Sequence, residues 1–309
     1  MNLSNPFVLP SPITELDFIE NSDGVKFYVK RDDLIHPYIS GNKYRKLAYL
    51  LKGLVTDDIQ GILTFGGAYS NHILATAAAA KLHNLKSVGI VRGDELNSRS
   101  NETLTLCEQL GMKLIFVNRE EYRKKEFGTS AIELLKSEPD IYLIPEGGSN
   151  QMSMIGVGEL LDEILLQMPQ VDYIVVGMGT GGTMAGLVHR ILERKDSEML
   201  DKLINLVGVP VLKGIDFSEK LKNDYNLNHF DDFLSLENDY HFGGYAKSDD
   251  KLVSFKNQFE KDCGFPIDKV YNAKVAFALL DLNTKQFFRP GSKVVWIDTG
   301  GLRPNDYHS

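Results

Sequence analysis

Short apolar runs alternate along this chain with longer helix-forming stretches, and this alternation limits the fold more than any other feature. Ile62-Leu63-Thr64-Phe65, Val88-Gly89-Ile90-Val91, Leu114-Ile115-Phe116-Val117 and Ile141-Tyr142-Leu143-Ile144 form a first series. Ile174-Val175-Val176, Leu206-Val207-Gly208-Val209 and Val294-Val295-Trp296-Ile297 form a second. Runs without a polar face read as strands buried on both sides, which predicts parallel sheets covered by helices. Asn71 to Leu82 and Asn101 to Leu110 supply helical composition within the first series. The turn Gly147-Gly148-Ser149-Asn150 separates the series, so two α/β domains with a cleft between them are expected. The run Ala77 to Ala80 reads as the close-packed face of a helix. The acidic segment Asn223 to Asp239 reads either as a surface excursion or as a flap.

Composition narrows the function classes. With 42 acidic against 34 basic side chains in 309 residues, the net charge is -8, which argues against a nucleic-acid binder. A local basic pocket for one phosphate stays open. The two cysteines, Cys107 and Cys263, stand far apart in no metal or redox spacing. No metal site is therefore expected, and a reducing compartment is. Neither a leader peptide nor a membrane-spanning run is visible, so the expectation is a cytoplasmic protein without a membrane partner.

The run from Tyr173 to Val176 leads into Gly177-Met178-Gly179-Thr180-Gly181-Gly182-Thr183, with a helix expected from Met184. Glycines let the backbone approach a ligand, and a helix N-terminus offers free N–H groups and a positive dipole end to a phosphate. A tight strand-to-helix turn with no ligand is the plainer alternative. Residues 177–182 also spell a dinucleotide fingerprint. That reading needs an acid at the end of the next strand, and Val209-Pro210-Val211-Leu212-Lys213 has none. A phosphate monoester fits better.

Gly41 and Asn42 are turn and cap residues that place Lys43 at a helix start. The positive helix end and two neighbouring cations disfavour its ammonium form, as a Schiff-base amine requires. A solvated lysine in a basic cluster is the alternative. Gly66-Gly67-Ala68-Tyr69-Ser70-Asn71-His72 opens another helix, where Ser70 and Asn71 serve as ordinary caps. A Ser70–His72 nucleophilic pair is disfavoured, because residues two apart on a helix diverge and no nucleophile elbow surrounds the serine.

Taken in order, these segments are more specific than any one of them. Lys30-Arg31-Asp32-Asp33, the Gly41 to Leu47 segment, the Gly66 to His72 segment and Gly179 to Thr183 together resemble one family of pyridoxal-phosphate enzymes. It is the 1-aminocyclopropane-1-carboxylate deaminase and D-cysteine desulfhydrase family, of the tryptophan-synthase-β-like fold type II. Asp268-Lys269-Val270-Tyr271-Asn272-Ala273-Lys274 and Thr299-Gly300-Gly301 agree, and the likeness spans about residues 26 to 302. The resemblance implies a large cofactor-binding domain of residues 1–47 with 152–309, and a small mobile domain of residues 48–151. It also implies a homodimer and pyridoxal 5'-phosphate as cofactor.

Position by position, the resemblance implies that Lys43 forms the Schiff base and later moves a proton. Lys46, Gly179, Thr180, Gly181, Gly182 and Thr183 would hold the phosphate, and Asn71 the ring oxygen. Ser70 would face the substrate carboxylate or assist proton transfer. Tyr271 and Tyr245 would line the pocket, with Asn272 and Thr299 near the cofactor ring. His72 and His241 are left as cap, rim or substrate contacts.

Two of these positions bear on the substrate. Ring-opening deaminases carry Glu after the pocket tyrosine and Leu before the last glycine pair; here these are Asn272 and Thr299. Thr299 matches the desulfhydrases, and Asn272 matches neither subgroup. A weaker electron sink suits β-elimination, so D-cysteine or a similar D-amino acid is the expected substrate, giving pyruvate, ammonia and sulfide. Ring opening and dehydration of a hydroxy amino acid are the alternatives. Tyr69 stands where the family commonly has Gln, and either reshapes the pocket or merely packs.

Overall fold

The computed structural model describes residues 7–20, 23–56, 59–148, 151–199 and 202–302, so Ser149 and Asn150 of the expected interdomain turn lie outside the described residues. The chain begins with β1 (Ile13–Glu15), β2 (Lys26–Arg31), α1 (Gly41–Thr56), β3 (Gly61–Gly67), α2 (Asn71–Leu82) and β4 (Lys86–Arg92). It continues through α3 (Glu102–Gln109), β5 (Met112–Val117), α4 (Arg119–Lys124), α5 (Thr129–Ser137), β6 (Ile141–Leu143) and α6 (Gln151–Gln167). Then come β7 (Tyr173–Met178), α7 (Gly182–Asp196), β8 (Asn205–Pro210), α8 (Phe217–Tyr225) and β9 (Leu234–Leu236). The last elements are α9 (Asp250–Cys263), α10 (Asn272–Thr284) and β10 (Lys293–Asp298). Helix α7 thus starts two residues before the expected Met184. Among the described residues, no helix is long and apolar enough to cross a membrane.

The chain divides into two compact units, Met1–Asn42 with Val157–Ser309, and Lys43–Gly156. Both boundaries fall inside helices, α1 and α6. The first unit holds a six-stranded sheet in the order β1-β2-β10-β7-β8-β9, parallel except for β1. Its core packs Trp296 edge-on to Phe259 and Phe27 edge-on to Phe288. The apolar runs of the second series are β7, β8 and β10.

Strand β2 flanks its short apolar run, Phe27 to Val29, with Lys26, Lys30 and Arg31, yet the last two are buried. A buried cation needs partners. Lys30 Nζ donates to Ser11 O at 2.6 Å, Glu163 Oε1 at 2.5 Å and Gln167 Oε1 at 2.5 Å. Arg31 forms a two-pronged pair with Asp33, at 2.8 Å for each prong. The Asn223 to Asp239 segment holds the end of α8 and an edge strand, β9, parallel to β8.

The second unit holds a four-stranded, wholly parallel sheet in the order β5-β4-β3-β6. Helix α2 packs Ile73, Leu74 and Ala77 to Ala80 into the interior, as the alanine run predicted. In each sheet the direction of winding reverses once, between β10 and β7 in the first and between β3 and β6 in the second. Ligands of open α/β sheets bind beyond the carboxyl ends of the strands at such reversals.

Candidate active site

At the reversal in the first unit, β7 ends and the chain turns through Gly179 and Thr180 to Gly181, whose φ of 89° is open to glycine without strain. Helix α7 starts immediately afterwards, so its unpaired N–H groups face the turn. A Cβ on Gly179 would lie 2.8 Å from Tyr271 Cε1 and 3.0 Å from its hydroxyl, so the phenol rests directly on this glycine. Asn42 Nδ2 donates to Thr183 Oγ1 at 3.4 Å, and Asn42 N–H to Thr299 O at 3.1 Å. The start of α1, the start of α7 and the exit of β10 therefore meet.

Asp268 sets the next piece. Its Oδ1 accepts the N–H groups of Val270 and Tyr271 at 2.9 and 2.8 Å, and its Oδ2 accepts that of Asn272 at 2.8 Å. These bonds hold the turn that leads into α10 and satisfy the N–H of its first residue, so Asp268 fixes where Tyr271 and Asn272 stand. Asn272 is buried, and its Nδ2 donates to Asp298 Oδ1 at 2.7 Å and Gly300 O at 3.0 Å. Its Oδ1 accepts from Thr299 N–H at 3.4 Å. A carbonyl can only accept, so Gly300 fixes which way the amide points.

Asp298 Oδ1 also accepts Gly300 N–H at 2.9 Å, while Oδ2 is buried with no hydrogen-bond partner among the described residues. Burial, reinforced by Asp33, pushes this carboxyl well above the usual carboxylate range. Burial likewise raises the Tyr271 phenol. Tyr245 is exposed and stands edge-on to Tyr271, with ring centres 6.3 Å apart.

The second unit carries the amines and the serine. Lys43, half-buried in the first turn of α1, has its ammonium drawn down to about 8 by burial rather than by the cationic neighbours the sequence suggested. Lys46 is fully buried, donates to Gly147 O at 3.2 Å, and is lowered by burial and then by Lys43. Beyond β3, Ser70 caps α2 by accepting Ile73 N–H at 3.4 Å, and Asn71 is the first helical residue. A Cβ on Gly66 would lie 2.7 Å from Ser70 Oγ, so this glycine makes room for the hydroxyl. His72 is buried, with Nε2 2.8 Å from Thr64 Oγ1. Burial, then Lys43 and Lys46, hold its imidazole well below the ordinary value, and it stays neutral. Tyr69 is 71% exposed.

The structure thus gathers Gly179 to Thr183, Tyr245, Tyr271, Asn272 and Thr299 in one unit, and Lys43, Lys46, Ser70 and Asn71 in the other. Sequence reasoning assigned no role to Asp268, Lys274 or Asp298, although the first two lie in the 268–274 segment and the third directly precedes Thr299. Pyridoxal 5'-phosphate is an aldehyde-bearing phosphate monoester: the first unit offers a helix N-terminus of the kind that takes a phosphate, and the second offers an amine lowered to about 8, of the kind that takes an aldehyde.

The family model described as pyridoxal-phosphate dependent enzyme matches residues 5–300. The chain belongs to that family. Within it, the bifunctional D-cysteine desulfhydrase/1-aminocyclopropane-1-carboxylate deaminase of Arabidopsis thaliana is 31% identical over 95% of this chain and 77% of its own length. The D-cysteine desulfhydrase of Klebsiella pneumoniae is 26% identical over 94% of this chain and 92% of its own. Among solved structures, an ACC deaminase homologue superposes with a TM-score of 0.81 and 29% identity, covering 98% of this chain and 92% of that one. The O-acetylserine dependent cystathionine beta-synthase of Helicobacter pylori, at 22% identity and a TM-score of 0.66, shares the fold. The protein is a pyridoxal-phosphate-dependent enzyme of the fold that the resemblance implied.

Proposed function

We propose that the enzyme catalyses β-elimination and deamination of a small D-amino acid, D-cysteine or one with a similar β leaving group; from D-cysteine and one water it releases pyruvate, ammonia and sulfide. One observation carries this reading. The side chain after Tyr271 is a neutral amide whose two protons are both committed, to Asp298 and to Gly300. Pyridoxal 5'-phosphate supplies the aldehyde and the electron sink of such reactions, and the surrounding protein sets how strong that sink is. An uncharged amide in place of a carboxylate goes with a weaker sink, which suffices where a departing thiolate removes the electrons. The Klebsiella pneumoniae relative named D-cysteine desulfhydrase supports the same choice, and the Arabidopsis thaliana one is named for both activities.

In this reading Lys43 binds the aldehyde and then moves the proton at the substrate Cα, a role its lowered pKa suits. Ser70, at the N-terminus of α2, receives the substrate carboxylate, where backbone N–H groups favour an anion. Gly179, Thr180, Gly181, Gly182 and Thr183 hold the phosphate, a task Lys46 shares, and Asn71 orients the ring. Tyr271 and Tyr245 wall the substrate. The reading also includes a cytoplasmic homodimer, with a small mobile domain of residues 48–151 beside a cofactor domain of 1–47 and 152–309.

Pyruvate release from D-cysteine and from 1-aminocyclopropane-1-carboxylate, measured side by side, tests the reading. Turnover of D-cysteine alone supports it. Turnover of the cyclopropane shows that a neutral Asn272 does not bar ring opening. Turnover of L-serine but not of D-cysteine makes the enzyme a dehydratase instead.

A further inference from the structure

Helix α10 carries a buried cation that the proposed reaction leaves unused. Lys274 lies one helical turn beyond Tyr271, and it is completely enclosed. An ammonium tolerates such a place only with partners. Its Nζ donates to the carbonyls of His241 and Gly244, each at 2.8 Å.

Those two carbonyls also close the turn that bears Tyr245. Gly244 N–H donates to His241 O at 3.0 Å, and Lys247 N–H to Gly244 O at 3.2 Å. The backbone of residues 242–246 is strained: φ is 51° at Phe242 and 55° at Ala246, besides 88° and 117° at Gly243 and Gly244. Left-handed residues other than glycine persist only where surroundings hold them. The Phe242 ring stands edge-on to Phe277, again on α10, at 5.1 Å. Lys274 and Phe277 thus both reach from α10 to the turn.

The held turn leads back to the glycine-rich loop. Tyr245 packs edge-on to Tyr271, and Tyr271 rests on Gly179. We propose that Lys274 is a positioning residue that clamps the 241–247 turn through the carbonyls of His241 and Gly244, and so sets Tyr245 against Tyr271 to fit the substrate. This rests on the reading that both tyrosines wall an amino-acid pocket. Lys274 itself touches neither substrate nor cofactor.

The test uses cofactor-loaded enzyme carrying Lys274→Met, Lys274→Arg, Tyr245→Ala, or Lys274→Met with Tyr245→Ala. Two charge-assisted hydrogen bonds are at stake, so Lys274→Met should speed amide hydrogen exchange of residues 241–247 by about tenfold or more, and leave β7 and α7 unchanged. Pyruvate formation should lose about tenfold in kcat/KM, mostly through KM, with the bound-cofactor absorbance intact. The double variant should be no worse than Tyr245→Ala, and Lys274→Arg should recover part of the loss. Unchanged exchange in 241–247, protection lost across β7 and α7, or losses that multiply in the double variant would each overturn the proposal. If Lys274→Met does not fold, Lys274→Arg against Tyr245→Ala carries the same comparison. A wild type that releases no pyruvate sinks the functional reading, and the exchange pattern alone then decides the role of Lys274.

Discussion

Asn272 donates an amide proton to Asp298 Oδ1 at 2.7 Å, and both side chains are almost wholly buried. The pair joins the start of α10 to the end of β10, and it stands on a carboxyl that burial and Asp33 push well above its usual range. The sign of the resulting pH dependence follows directly. A raised folded pKa means that the folded protein keeps a proton the unfolded chain has released. Stability from this group is full below about pH 4, the unfolded value, and is lost as pH rises through the folded one.

Asp298→Asn keeps an oxygen that accepts from both Asn272 and Gly300 but removes the titration. The variant's melting temperature, measured without cofactor, should therefore gain on the wild type as pH rises from 4 to 9. A gain that shrinks with rising pH would show that the ionised carboxylate stabilises the fold.

Gly41 gives a sharper steric prediction. Its φ is 57°, and a Cβ there would lie 1.8 Å from the backbone oxygen of Thr299. Neither the strain nor the overlap can be relieved by turning a side chain. Gly41→Ala should cost about 3 kcal/mol or more, since the α1 start must lift off Thr299. Urea unfolding reads this directly; a cost under about 1 kcal/mol, the size of an ordinary surface change, would mean that the contact is soft.

The Lys43 amine titrates near 8, below the ordinary lysine range. Only the free amine attacks an aldehyde, so the rate of cofactor uptake by the apoprotein should climb through about pH 8 and level off above it. Lys43→Ala should abolish the visible absorption of covalently held cofactor while the far-ultraviolet circular dichroism stays the same. Absorption that persists would move the attachment to another lysine. Uptake still rising steeply above pH 10 would place Lys43 in water.

Much of this architecture was legible because apolar runs and glycine turns are local signals. β3, β4, β5, β6, β7, β8 and β10 each follow such a run, and Ser70 caps α2 as expected, whereas α1 already begins at Gly41, so Gly41 and Asn42 are its first residues and not its caps. What escaped notice depends on distant partners. β2 reads as a charged surface until Glu163 and Asp33 neutralise Lys30 and Arg31. β9 is three residues long, and it exists because β8 offers it an edge. Asp298 gains its meaning from Asn272, and Lys274 from the carbonyls of His241 and Gly244, far away in sequence. Composition and spacing carry no such pairing.

Ser70 separates a structural role from a chemical one. Its hydroxyl caps α2 through Ile73 N–H, and the contact is long at 3.4 Å, so Ser70→Ala should cost only about 1 kcal/mol of stability. A cap alone would leave turnover per folded molecule unchanged. If Ser70 also receives the substrate carboxylate or relays a proton, kcat/KM for pyruvate release should fall by about a hundredfold or more. Ser70→Thr keeps the hydroxyl and the cap, so it should retain more activity than the alanine variant. A loss of activity that tracks only the folded fraction would leave Ser70 as a cap, and would shift the carboxylate contact to Asn71 or the backbone of α2.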